Sequence, residues 1–493
     1  MVRFQSLSRS QKLSLLLYVL VALVLWGFVW VHAFSMDMTH DEAYSFRLVK
    51  TNYFRAMFGT ANTHWLNTIF MEVFNNLFGD APGWLRLHSV LAFPFFAWAL
   101  YGLGNLIKVR AAAIVFWALV LFNPFVLDFF SLARGYGLAM TFQAWSVYYF
   151  IKAAQSPAFN YRGWLMVWLM NALAIGSNLS YFYSVIGIAG WLCYMLLAKI
   201  MSGQAAGKPL IRIFLLYVLL LLGAVADLLF IKYYGKDLDY GGNADLISSL
   251  MGTMWQGSLY GAPYGQLLPA LTYASFFLLL LIIGWYVWSL IRDRKISTGL
   301  LLSIPLMSIL LLNIVFHVLF ETPFLYSRTA LQWYVPGLLI ICFAVGEWLP
   351  GIKSIRFASA GIAVVILLLA IGHFYYRADR RVCFEWQQQI STKQAIYDLY
   401  AQQPRHPFVG FATGGVYINY YSLLGDRLDP FPEDLPDQNP DSSAPALREA
   451  LQKSDYLLTD YPVTLQCLRE LGLRYEVLKS YPPGKNQLIR IYH

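Results

Sequence analysis

The sequence predicts a polytopic α-helical membrane protein of about eleven transmembrane helices, with interfacial helices in its first outer loop and a small C-terminal α/β domain outside the membrane. Three observations carry that class. Only 13% of the 493 residues are charged and 58% are hydrophobic, whereas a soluble domain carries roughly 25% charged residues. The apolar residues come in blocks, such as 15–34 and 358–371 with its flanks, each near the ~20 residues needed to cross a bilayer. Hydropathy then collapses beyond residue 376, where Pro, Asp and Gln become common. A soluble enzyme, a disordered chain and a disulfide scaffold are thereby excluded. Four cysteines are too few for a disulfide framework, although they leave room for a single bridge.

The first span, roughly 12–34, is an anchor: its apolar run is too long for a cleavable signal, and no small-residue cleavage site follows. The first outer loop, 35–87, opens with Thr39-His40-Asp41-Glu42-Ala43-Tyr44 and continues into an amphipathic stretch, 65–79. Trp and Phe at helical spacing there, with Asn and Glu between, predict a helix lying in the interface. Spans near 88–107, 111–131, 135–153, 164–180, 182–200 and 210–231 follow. A Gly- and Tyr-rich loop, 232–267, precedes the last four, 268–291, 299–320, 331–349 and 357–376. This divides the chain into a transmembrane module, 1–376, and a tail domain, 377–493. The tail reads as helix near 391–403, strand 407–412, helix 415–424, a Pro/Asp-rich loop 426–445, helix 444–453, strand 456–458, helix 462–472 and strands near 474–480 and 487–492. Pro482-Pro483-Gly484-Lys485 turns the last two strands into a hairpin, and the alternation indicates a small α/β domain. Cys383 and Cys467 both fall in this tail, as a bridge or as two thiols.

The net charge of +9 marks orientation, not a nucleic-acid partner. With the N-terminus inside, Arg3, Arg9, Lys12, Lys108, Arg110, Lys152, Arg162, Lys199, Lys208, Arg212, Arg292, Arg294, Lys295, Lys353 and Arg356 all fall on the cytoplasmic side, as basic residues near span ends do. The longest outer loops carry Asp37, Asp41, Glu42, Asp237, Asp239 and Asp245 instead. Arg377, Arg380 and Arg381, just outside the last span, run against the trend, and the odd span count places the tail outside.

Two adjacent carboxylates oppose one another's ionisation, so Asp41-Glu42 beside His40 is either a polar loop flanking a helix or a general base with a neighbour that tunes it or binds a metal. The wider pattern favours the second. A first span, an Asp-Glu pair, Asn62-Thr63-His64 before an interfacial helix ending in Phe78-Gly79-Asp80, and Leu85-Arg86-Leu87 at the entry to span two resemble the glycosyltransferase C superfamily. The likeness is to bacterial relatives of the protein O-mannosyltransferases and of the aminoarabinose transferases of lipid A. Asp128-Phe129-Phe130-Ser131-Leu132-Ala133-Arg134-Gly135-Tyr136 is similar to that family's acidic-then-Ala-Arg-x-Tyr turn, where glutamate is commoner at the first position. Tyr326-Ser327-Arg328-Thr329-Ala330 before Pro336 resembles its arginine-bearing entry to a late span. The likeness covers spans one to four, loosens in the middle and hardly extends to the tail.

The resemblance implies an inverting glycosyltransferase, with a polyprenyl-phosphate sugar as donor and a lipid, glycan or protein as acceptor, working on the outer face. In a bacterium this means the inner membrane, with site and tail domain periplasmic. Asp41 would take the acceptor's proton; Glu42 would orient the acceptor or donate a metal ligand. Arg134 and Arg328 would face the departing phosphate, which a planar guanidinium binds bidentately, although arginines at helix ends also snorkel to headgroups. His64, Tyr136 and Tyr326 complete the substrate-binding set. Asp128 would join Asp41 on a divalent ion, Mg2+ or Mn2+, required in some branches of the superfamily and not in others; it could equally cap a helix or pair with Arg134. A transporter or flippase of a lipid-linked sugar, and a glycan polymerase or ligase, are the competing classes. The spans are clean at their centres, with no repeat, and the large outer region is C-terminal rather than between late spans.

Overall fold

The computed structural model describes residues 8–51, 53–58, 60, 64–203, 207–235, 245–262, 265, 267–348, 355–405, 407–409, 445–459, 462–482 and 486–493. In chain order its helices are α1 (Arg9–Ser35), α2 (His40–Thr51), α3 (Tyr53–Phe58), α4 (Trp65–Phe78), α5 (Pro82–Leu85), α6 (Leu87–Gly104), α7 (Arg110–Leu121), α8 (Pro124–Asp128), α9 (Tyr136–Ala154), α10 (Tyr161–Ser177), α11 (Phe182–Met201) and α12 (Lys208–Phe230). There follow α13 (Thr253–Ser258), α14 (Leu267–Asp293), α15 (Thr298–Phe320), α16 (Leu331–Trp348), α17 (Ile355–Arg377) and α18 (Thr392–Ala401). The remaining elements are β1 (Pro407–Val409), α19 (Pro445–Lys453), β2 (Tyr456–Thr459), α20 (Pro462–Glu470), β3 (Arg474–Ser480) and β4 (Gln487–Tyr492).

Among the described residues, eight helices are long and apolar enough to cross a membrane: α1, α6, α11, α12, α14, α15, α16 and α17. The protein is therefore an integral membrane protein. Large apolar side chains stand exposed along them, with Val24 at 73% and Leu281 at 72%, as side chains facing lipid do and as a soluble surface does not. Helices stand at the other three expected spans as well, but they are shorter or less apolar. The expected 111–131 span is broken. α7 stops at Leu121, because Pro124 supplies no amide hydrogen and pushes Asn123 into extended backbone, and Asn123 then caps α8 by accepting from the Phe125 N–H at 3.0 Å.

The chain folds into two compact units, 1–30 with 57–69 and 87–378, and 31–56 with 70–86 and 379–493. Most of the segment between α1 and α6 thus groups with the tail, whereas the sequence alone suggests one cut near residue 376. In the first unit α9 packs on α10 and α6, α11 on α15, and α16 and α17 on α7. Two of the buried amides there have protein partners: Gln143 Nε2 donates to the Gln332 carbonyl at 2.9 Å and Asn171 Nδ2 to Tyr217 Oη at 2.7 Å. Without such partners each would cost several kcal/mol in hydrocarbon, of order 2–7.

In the second unit the tail forms a four-stranded sheet of order β1-β2-β4-β3, with β1 parallel to β2 and both other pairs antiparallel. Leu457 pairs with Ile489, and these two close a core with Leu447 and Leu451 of α19 and Cys467 and Leu468 of α20. Edge strand β3 is solvated and carries Arg474, Glu476 and Lys479, which discourage further strand pairing. The expected helix-strand order is present element by element, save that the expected helix 415–424, most of the Pro/Asp-rich loop and the Pro483–Lys485 part of the turn lie outside the described residues. So do residues 236–244, 263, 264 and 266 of the loop 232–267. Cys383 and Cys467 are two buried thiols, not a bridge.

Candidate active site

In the second unit the acidic motif begins a helix; it is not a loop. Thr39 sits just before α2 and Glu42 three residues later, and they form a capping box. Glu42 Oε2 accepts from the Thr39 N–H at 3.0 Å and from Thr39 Oγ1 at 2.9 Å, while the Glu42 N–H approaches Thr39 Oγ1 at 3.4 Å. The same carboxylate receives Arg86 bidentately, Nε to Oε1 at 2.8 Å and Nη2 to Oε2 at 2.7 Å, with both side chains fully buried. Arg86 also donates to three carbonyls, Nη1 to Ala33 at 2.8 Å and Met36 at 2.7 Å and Nη2 to Asp37 at 2.7 Å. It thereby pins the α1–α2 connection. Arg86, unassigned by sequence reasoning beyond its place in a motif, is the organising cation of this unit. Its geometry leaves Glu42 engaged as a structural anion, with its oxygens turned to a cap and a guanidinium.

Asp41 is placed differently. It occupies the first turn of α2, where the helix dipole favours negative charge. Its residue is 8% exposed, and Oδ1 lies 3.2 Å from Nδ1 of His40, giving a carboxylate–imidazole pair. The His40 N–H donates to Gln389 Oε1 at 3.1 Å, fixing the start of the helix against the tail segment. Asp37, on the connection before it, accepts from the Lys393 N–H at 3.4 Å. Burial holds its carboxyl above the usual carboxylate range, against the lowering influence of that N–H and of Arg86.

The first unit holds the other expected residues. Arg134 is buried, on a tight loop whose flanks are fixed. The Ala133 carbonyl accepts from Asn67 Nδ2 at 2.9 Å, and Asn67 Oδ1 lies 2.8 Å from His88 Nε2. Gly135 caps α9 in the left-handed region at φ 71°, and a Cβ there would stand 2.1 Å from the Ser177 carbonyl, so glycine is required. His64 is buried 3.3 Å from Asn178 Nδ2, and Tyr136 packs between its ring and that of Phe129. Asp128 accepts from the Tyr260 hydroxyl at 3.0 and 3.2 Å. Arg328 is half-buried in a 3-10 turn, Ser327–Ala330, held where the Ser327 N–H donates to Thr253 Oγ1 at 2.8 Å; Tyr326 beside it is exposed. The structure thus gathers His64, Arg134 and Tyr136 around one loop. Asn67 and His88, which sequence reasoning passed over, brace it.

No three His, Cys, Asp or Glu side chains converge to hold a metal ion among the described residues, and Glu42 is committed elsewhere.

No protein-family model matches the chain, and no curated protein matches it. Solved structures do. Apo ArnT from Cupriavidus metallidurans superposes with a TM-score of 0.52 over 98% of each chain at 11% identity. ArnT from the same organism bound to undecaprenyl phosphate gives 0.52 over 97% of each at 12% identity. The chain has the ArnT fold. At this identity the likeness to ArnT speaks for architecture, and the chemistry must be argued from the chain's own residues.

Proposed function

We propose that the protein is an inverting glycosyltransferase of the bacterial inner membrane, moving a monosaccharide from a polyprenyl-phosphate donor to a hydroxyl or amine of a lipid, glycan or protein acceptor at the periplasmic face. The observation that carries this reading is the ArnT fold over nearly the whole chain, together with the undecaprenyl phosphate bound by one such neighbour. Asp41 is the base. Its residue is 8% exposed, where Glu42 is wholly buried, and its imidazole partner His40 orients it. As the acceptor oxygen or nitrogen attacks the anomeric carbon from the face opposite the phosphate, its proton passes to Asp41 and the phosphate departs with the bonding pair, inverting the centre. Arg134 and Arg328 are the cations for the departing phosphate, since a guanidinium presents paired donors to its oxygens. His64 and Tyr136 shape the loop that presents Arg134. Glu42 is structural.

The test is turnover of a panel of polyprenyl-phosphate sugars by purified protein, wild type against Asp41→Asn. The expected loss is of order 10²–10⁴-fold. Equal turnover by the variant defeats the assignment of the base, and no consumption of any donor by wild type defeats the class.

A further inference from the structure

Within the second unit a cavity of about 360 Å³ lies between the α1–α2 connection and residues 381–397. Its size is within the ~300–1,000 Å³ of small-molecule sites. The walls are supplied by Asp37, Arg381, Trp386, Gln389, Gln394 and Tyr397, with Lys393 at the start of α18. Both rims are held: Arg86 takes the carbonyls of Ala33, Met36 and Asp37, and Gln389 holds the His40 N–H. The site is therefore built before any ligand arrives.

The lining specifies a ligand chemistry. Two carboxamides both donate and accept, as hydroxyl groups do, and a carboxylate adds acceptors. An indole and a phenol ring offer flat apolar faces with polar edges. An anion would meet Asp37 and a cation would meet Arg381 and Lys393, so a single-sign ligand is disfavoured on either count. An alkyl chain would leave the amides and charges without partners, which is costly on burial. A hydroxyl-rich ring with apolar C–H faces satisfies the whole wall. The cavity also adjoins the base's helix: Thr39 lines it and caps α2, in whose first turn Asp41 lies.

We propose that this cavity binds a saccharide unit of the acceptor and so sets which acceptor is glycosylated. The inference rests on the transferase reading for its consequence, but not for its binding step. The binding step is tested on the full chain in detergent with a panel of methyl glycosides, by saturation-transfer NMR. Binding by wild type, weakened at least tenfold in Tyr397→Ala or, should that variant not fold, in Gln394→Ala, is the result expected. With a competent donor and acceptor, the same variants should raise the acceptor KM by tenfold or more, with kcat nearly kept. Absence of glycoside binding to wild type overturns the proposal, as does binding undiminished in both variants; failure to consume any donor overturns the transferase reading alone.

Discussion

Replacing Arg86 by methionine separates a structural Glu42 from a catalytic one. The native pair is fully buried, its two hydrogen bonds are 2.7 and 2.8 Å long, and three further carbonyls depend on the same guanidinium. Removing one partner of a buried ion pair costs ~3–5 kcal/mol, because the other charge is left in a dry setting. Carbonyls that lose their donor add to this, at ~1–3 kcal/mol for a buried polar group left unsatisfied. At ~2–4 °C per kcal/mol for a domain of 150–250 residues, the pair alone converts to a fall of about 6–20 °C in melting temperature. Tryptophan fluorescence during heating in detergent measures it, read as Tm differences because two units need not unfold in one step. Glu42→Leu with Arg86→Met should lose less than the two single changes summed, since no uncompensated charge remains. If Arg86→Met melts within about a degree of wild type while sugar transfer collapses, the pair is catalytic machinery and the argument for Glu42 fails.

Asp41→Asn should behave oppositely, keeping the wild-type melting temperature while transfer falls of order 10²-fold or more; joint loss of fold and activity would remove its role as base. Gly135→Ala forces a left-handed backbone on alanine, a strain of ~1–3 kcal/mol, and drives its Cβ towards the Ser177 carbonyl; reduced thermal stability and weakened donor binding are expected, and a neutral result in both assays contradicts the packing described. Burial pushes the Asp398 carboxyl up, but hydrogen bonds from Lys479, Tyr481 and Gln394 outweigh it and hold the group below its ordinary value. A depressed folded-state pKa adds stability above the unfolded value, ~3.9, and loses it as pH falls through the folded one; melting between pH 5 and 3 should therefore drop more steeply in wild type than in Asp398→Asn. Denatured protein without reductant should titrate four thiols, whereas native protein should label slowly at buried Cys467, whose pKa is raised by burial; fewer than four on denaturation indicates a bridge.

The elements that the sequence made legible are those whose signal is local. Apolar length marked the eight spanning helices, and the turn sequence from Pro482 to Lys485 marked the strands β3 and β4 on either side of it. The broken helix at α7 was readable too: Asn123-Pro124 is a stop signal, but the apolar run on both sides masks it in a hydropathy window. Less legible was anything that depends on which distant residues meet. Asn67, His88 and Gly135 fix the Arg134 loop through contacts 21 or more residues apart in sequence for the first two, and no spacing within one segment encodes them.

Glu42 shows how one sequence signal admits two jobs. Two acids together after a span suggest chemistry, because like charges held close need a reason. The same stretch, Thr39-His40-Asp41-Glu42, also spells the Thr-x-x-Glu capping box, which assigns the second acid to the backbone of the first turn. Given that box, the fully buried Arg86 supplies the reason for the charge: its guanidinium neutralises Glu42 and spends its remaining donors on the chain reversal before α2. One acid is thus engaged in building the turn, and the other lies in the first turn of α2 beside His40. This division of labour, more than the presence of two acids, is the argument behind the role proposed for Asp41.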